Sequence, residues 1–143
     1  MSIDNEAIAN ALQSKTVAVV GLSDNPERPS HDVALYLKSH GYRIVPINPM
    51  LNEVLGEKSY ASLQDLPNRL MLEIDVVDIF RRSEDVPPVV EQAIELHKRY
   101  AKPKTVWMQL GIVNEEAAQK ARSAGMEVVM DRCMKIEHAR SGR

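Results

Sequence analysis

The stretch Thr16-Val-Ala-Val-Val-Gly21-Leu-Ser-Asp-Asn25-Pro-Glu-Arg28-Pro-Ser30 decides the fold. An apolar, β-branched run ends in glycine, crosses a polar turn and enters a helical pattern. A strand–loop–helix of this kind presents free backbone N–H groups at the helix start, where a phosphate is stabilised. Two later strand ends, Asn48-Pro49 and Phe80-Arg81-Arg82-Ser83, carry groups suited to the same anion.

Outward from that stretch, short apolar runs alternate with amphipathic segments, with no internal repeat, low-complexity tract or linker. Residues 3–13 read as a helix with Ile3, Ala7, Ile8, Ala11 and Leu12 on one side. Ser30 is the expected N-cap of a helix running to His40, stopped by Gly41. The second strand is Arg43–Ile47, where Pro46 points to an edge or a bend. Residues 49–61 read as an irregular excursion, and Ser62-Leu-Gln-Asp65 as one helical turn with capping-box character.

The third strand is Ile74–Phe80; its carboxylates at 75 and 78 break simple alternation and place one of them near a strand end. Pro87-Pro88 fits only the first turn of a helix, which then carries Val86, Val89, Val90, Ala93, Ile94 and His97 as an apolar stripe. The fourth strand, Thr105–Leu110, leads to a helix with Asn114 as cap, acidic residues in its first turn, basic ones in its last and Gly125 as stop. Met126–Met130 is the fifth strand, followed by a short basic tail.

Strands separated by single helices pair in parallel through right-handed crossovers. The expected architecture is α/β: a doubly wound, five-stranded parallel sheet in the order 3-2-1-4-5, within one domain spanning 1–143. Ligands of such sheets lie beyond the carboxyl ends of the strands, which gathers Gly21–Ser30, Asn48, Phe80–Ser83 and Gln109–Gly111 around one crevice.

Bulk properties narrow the classes. At 143 residues with 44% hydrophobic and 27% charged residues, the chain has the make-up of an ordinary globular domain. A net charge of −2 argues against a broad nucleic-acid face, leaving Arg81-Arg82 as the main local basic feature. The single cysteine, Cys133, excludes an intrachain disulfide and fits a reducing cytosol. No apolar run approaches the ~20 residues of a membrane span, and the acidic start lacks a signal-peptide pattern. A cytoplasmic location is the default expectation.

A nicotinamide dinucleotide fits poorly. Its fingerprint wants three glycines and an acid closing the second strand; only Gly21 is present, Ser23 and Pro26 replace further glycines, and Asn48 is neutral. Ser23, Asn25 and Ser30 supply donors, and Arg28, Arg81 and Arg82 supply guanidinium forks for phosphate oxygens. The crevice therefore suits a ligand with several phosphates. Paired arginines are commonly solvated loop residues; their place at a strand's carboxyl end makes Arg81 and Arg82 candidate phosphate contacts.

At Val17–Ser30, Val45-Pro-Ile-Asn-Pro49, Val76–Ser83, Val106–Ala118 and Val129–Glu137 the chain resembles the small stand-alone coenzyme A-binding proteins related to the CoA-binding domain of succinyl-CoA synthetase. The resemblance runs in order over roughly residues 14–138. It implies a Rossmann-like fold, coenzyme A or an acyl-CoA as ligand, Gly21, Ser23, Asp24 and Asn25 along the phosphate loop, Asn48 and Pro49 bordering the nucleotide, and Phe80, Arg81, Arg82 and Ser83 closing over it. Asp24 fits beside phosphate only by pointing away, as a turn hydrogen-bonder. The synthetase's phosphohistidine domain has no counterpart in the chain, so the resemblance carries binding and not ligase chemistry.

Catalytic signals are sparse. His31, His40, His97 and His138 show no metal-ligand spacing, and no nucleophile motif accompanies the serines. Cys133, beside Arg132, suits a mixed disulfide with a CoA thiol, although a small, partly buried structural role outweighs it. The leading expectation is a non-catalytic CoA-binding module. The alternatives are an NAD(P)-type or acyl-transfer enzyme using His31 or Cys133, and a subunit lending its CoA site to a separate acyl-CoA ligase. Neither a membrane nor a nucleic-acid partner is expected; a homo-oligomer or a ligase partner is left open.

Overall fold

The computed structural model describes residues 3–143 in backbone and the side chains from residue 5 onward; the side chain of Ile3, expected on the apolar face, and residues 1–2 lie outside that description. Among the described residues seven strands form: β1 (Thr16–Val20), β2 (Arg43–Ile47), β3 (Glu53–Val54), β4 (Glu57–Lys58), β5 (Val76–Ile79), β6 (Thr105–Met108) and β7 (Glu127–Val129). The α-helices are α1 (Ile3–Leu12), α2 (Pro29–Ser39), α3 (Asn68–Met71), α4 (Val86–Tyr100), α5 (Glu115–Ser123) and α6 (Met134–Arg140).

The five long strands make one parallel sheet with helices on both faces, a Rossmann-like α/β fold in a single domain. Alternation along each strand splits the core in two. Val17, Val19, Val76, Trp107 and Val129 face α1, α2 and α6, while Ala18, Val20, Val77, Ile79 and Val106 face α4 and α5.

The order of strands is β2-β1-β5-β6-β7, that is 2-1-3-4-5 counted over the long strands. The third long strand thus lies directly against β1, where the order 3-2-1-4-5 would have set it outside β2. Pro46 supplies the physical reason. Its carbonyl accepts the Tyr60 N–H at 3.1 Å on the side of β2 away from β1. A strand residue's C=O and N–H point the same way, so the donor that proline lacks is missing on that outer side, where a further strand would need it. β2 is therefore an edge strand, and a single bridge to Tyr60 covers its end.

Three segments differ from their sequence reading. The excursion after β2 contains a small antiparallel hairpin, β3–β4, turned by Leu55 at φ 55° and Gly56 at φ 76°; Leu55 is not a residue that announces such a turn. Leu63–Asp65 forms the expected short turn as a 3-10 helix, and the four-residue α3 then follows. The basic tail is α6, which packs on α2 through a 2.9 Å hydrogen bond between Tyr36 Oη and His138 Nδ1. In α5, the expected cap is present: Asn114 Oδ1 accepts the Ala117 N–H at 2.9 Å.

Candidate functional site

The carboxyl ends of β1 and β5 meet at the point where the chain's winding direction reverses, the place where open α/β sheets bind ligands. Gly21 makes that junction tight. Its φ is +86°, and a Cβ added there would lie 2.2 Å from the Phe80 carbonyl oxygen. Only glycine fits. Gly21 N–H donates to Ile47 O and Phe80 N–H donates to Val20 O, both at 2.8 Å, tying the ends of β2, β1 and β5 together.

The loop from Gly21 to Ser30 is held by its own polar groups. Ser30 Oγ accepts Ser23 N–H, Ser23 Oγ accepts Asn25 N–H, and Asn25 Oδ1 accepts Glu27 N–H, each at 3.0 Å. Ser30 is thus not the N-cap of α2. The helix begins earlier because Pro29 occupies its first turn with a preset φ; Arg28 is the N-cap, with no side-chain capping bond. Asn48 donates from Nδ2 to Leu22 O and accepts Met50 N–H at Oδ1, both at 2.9 Å, so it clasps the loop from behind.

A cleft of about 700 Å³ opens beside this loop. Of the residues expected at the site, Gly21, Ser23, Arg28, Ser30, Phe80, Arg81 and Arg82 line it. Asp24, Asn25, Asn48, Pro49 and Ser83 do not. Asp24 is exposed, and the turn hydrogen bonds assigned to it come from Ser23 and Asn25. Ser83 instead secures the loop after β6, its Oγ accepting Val113 N–H and its carbonyl accepting Asn114 Nδ2, both at 3.0 Å.

The two adjacent arginines differ in availability. Arg82 is 78% exposed in its side chain and turned toward Asp85 at 2.9 Å and Glu84 at 3.4 Å. These carboxylates, Asp85 first, hold its guanidinium above its ordinary pKa. Arg81 is half-buried on the cleft wall and has no ion pair among the described residues. Arg28 is likewise unpaired there. Two guanidinium groups and the first turn of α2 therefore give the cleft a positive rim.

Pro29, Asp32, Val33, Leu110, Ile112 and Cys133 also border the cleft; Pro29 and Leu110 belong to segments that the sequence gathers around the crevice and Cys133 to its mixed-disulfide alternative, whereas Asp32, Val33 and Ile112 were not expected there. Asp32 and Val33 follow from helical periodicity, one turn beyond the loop. Cys133 arrives through α6, which had been read as a tail. Asp32 pairs with Lys135 at 2.9 Å, which offsets its charge on an otherwise cationic rim. Gln109 is 3% exposed; its Oε1 accepts Met134 N–H at 3.1 Å, joining β6 to the start of α6.

Neither carboxylate of the third strand reaches the cleft. Asp75 precedes β5 and accepts Lys15 and Thr16 N–H at 3.1 and 3.0 Å, with Lys102 Nζ at 2.8 Å. Burial would raise its pKa, but the hydrogen bonds from Lys102, Thr16 and Lys15 outweigh that and hold it below the usual value. Asp78 is fully buried between Val19 and Trp107, and neither oxygen has a hydrogen-bond partner among the described residues. Burial pushes its pKa far up, so it carries its proton. Among the described residues no cluster of His, Cys, Asp or Glu suits a metal ion, and no helix is long and apolar enough to cross a membrane.

Comparison with known proteins places this geometry in a wider group. The chain is 43% identical over 127 residues to the uncharacterized protein YneT of Bacillus subtilis, covering 89% of this chain and 87% of that one. A hypothetical protein from Pyrococcus horikoshii OT3 superposes with a TM-score of 0.85 at 40% identity, covering 98% of this chain and 92% of the other. An acetate–CoA ligase (ADP-forming) II of Archaeoglobus fulgidus is 31% identical over 83 residues; the match takes in 57% of this chain and only 12% of that longer enzyme. Residues 15–139, nearly the whole length of the chain, match the CoA binding domain family, and the protein belongs to that family.

Proposed function

We propose that the cleft binds coenzyme A or an acyl-CoA, with the diphosphate over the Gly21–Ser23 turn and the first turn of α2, and the guanidinium groups of Arg81 and Arg28 against phosphate oxygens. The observation that carries this reading is Arg81: a half-buried cation without an ion-pair partner among the described residues, on the wall of a cleft at the β1–β5 junction. A buried charge is costly unless something pairs with it, and a polyphosphate supplies the pairing. The family membership and the ligase relatives support coenzyme A as the nucleotide. Asp24, Asn25, Asn48, Pro49 and Ser83 then act on the ligand by shaping the loops around it.

In this reading the protein is a cytoplasmic binding module without turnover of its own. Glycine, hydroxyl, guanidinium and apolar groups make up most of the cleft wall, and its one carboxylate, Asp32, is engaged by Lys135. A second reading, in which the chain lends this site to a separate ligase chain, draws on its match to the acetate–CoA ligase (ADP-forming) II subunit alpha of Pyrococcus furiosus, 36% identical over 62 residues. Affinity capture that returns an ATP-dependent acyl-CoA ligase chain would favour it.

Calorimetric titration with CoA, NAD and NADP in parallel tests the assignment. CoA should bind and the nicotinamide nucleotides should not. Arg81→Ala should weaken CoA by about tenfold or more, since a charge-assisted hydrogen bond contributes about 1.5–3 kcal/mol. Arg82→Ala should weaken it less, because Asp85 and Glu84 already engage that side chain. Absence of CoA binding up to millimolar concentration, or unchanged affinity in Arg81→Ala, overturns the assignment.

A further inference from the structure

Cys133 lies on the wall of the same cleft, half-buried, with a free thiol. It is the only cysteine in the chain, so no internal disulfide competes for it. The backbone there is fixed. Trp107 Nε1 donates to Arg132 O at 2.7 Å, and Gln109 Oε1 accepts the N–H of Met134 at 3.1 Å, clamping both neighbours of Cys133 to β6.

Gln109 points independently to a ligand. The residue is 3% exposed and borders the cleft, yet its Nε2 has no hydrogen-bond partner among the described residues. That atom is also not among the side-chain atoms sealed from solvent without a partner, which are the two Asp78 oxygens alone. Its remaining contact is therefore with the cleft. Water in the cleft satisfies this donor in the free protein, and a ligand that displaces the water must bring an acceptor in its place. The pantetheine arm of CoA offers amide carbonyls along its length and a sulfur at its end. Arg81, Gln109 and Cys133 thus present to one cleft the three group types that such a molecule requires: a cation for phosphate, a donor for an amide carbonyl, and a thiol for sulfur.

We propose that Cys133 is a covalent capture site for oxidised CoA, by thiol–disulfide exchange with CoA disulfide held in the cleft; this rests on the CoA assignment above. The Cys133 thiolate attacks one sulfur of the CoA disulfide, the Cys133–S–S–CoA bond forms, and the old S–S bond breaks. The displaced CoA thiolate takes up the proton that Cys133 released. One disulfide is consumed and one formed, and a reducing thiol reverses the step.

The protein, treated separately with CoA disulfide and with glutathione disulfide at equal concentration, is followed by intact mass spectrometry alongside calorimetry with reduced CoA. With CoA disulfide a single adduct should appear, heavier by one CoA less two hydrogens and removed by dithiothreitol, at least tenfold faster than the glutathione adduct. Cys133→Ser and Cys133→Ala, checked for folding by Trp107 fluorescence, should form neither adduct. Arg81→Ala should slow the CoA adduct while leaving the glutathione rate unchanged. Binding of reduced CoA together with equal rates for the two disulfides, or with no adduct, overturns the capture site and leaves the CoA assignment standing. No binding of CoA in any form overturns both.

Discussion

Asp78→Asn is the most revealing stability variant. Asp78 sits in the apolar layer beneath α1, α2 and α6, fully buried and without a hydrogen-bond partner among the described residues. An ionised carboxylate in such a place is so costly that the group folds with its proton on. The unfolded chain releases that proton near the ordinary value of 3.8. Between 3.8 and the raised value in the folded state, the folded chain therefore binds one proton more than the unfolded chain. Stability from this group is complete below 3.8 and is lost as pH rises toward the folded-state value.

The loss is about 1.4 kcal/mol for each pH unit in that window. Asparagine does not titrate, so Asp78→Asn removes the slope. Urea denaturation at several pH values from 5 upward, followed by the single buried Trp107 that pairs with Asp78 across β5 and β6, reads the difference directly. The wild type should lose about 1.4 kcal/mol per unit relative to the variant over the lower part of that range. The comparison concerns slopes, so the unsatisfied amide of the variant does not disturb it. Parallel pH dependences for the two proteins would show that the carboxyl has a partner or water in solution, and would refute the reasoning.

Two further outcomes are expected. Gly21→Ala should lower thermal stability and abolish ligand binding: a left-handed backbone alone costs roughly 1–2 kcal/mol, and the added Cβ meets the Phe80 carbonyl at 2.2 Å. Preserved melting temperature and affinity would contradict the tight β1–β5 junction. His138 should titrate below 6.5 by NMR, since burial, then His40, then Arg143, lower its pKa. Its contribution to stability is present above 6.5 and lost as pH falls through the folded-state value, an acid sensitivity that His138→Phe should reduce; a midpoint above 6.5 would show that the Tyr36 and His40 contacts are not maintained.

Local chemistry made most of the fold legible. The apolar run ending in Gly21, the Pro87-Pro88 helix start and the Asn114–Gly125 helix are each specified by neighbours a few residues away, and each stands in the structure close to its expected place. The first turn of α2 was misread because two local signals competed, and Pro29 prevailed over Ser30. The α6 segment was missed because a seven-residue helix draws its stability from packing against α1 and α2 rather than from its own periodicity.

By itself, the sequence determined that five apolar runs separated by helices must form a parallel sheet whose strand ends carry glycine, serine and arginine, because period and turn chemistry are local properties. Only the tertiary structure decided which strands are neighbours. The pairing of β1 with β5 joins residues some sixty positions apart, and the decisive constraint, the outward direction of the donor that Pro46 lacks, exists only once β2 is paired. The tertiary structure likewise separated Arg81 from Arg82 and brought Cys133 to Gln109. Two arginines adjacent in sequence have the same charge, and only their surroundings leave one facing the cleft and the other held by Asp85 and Glu84.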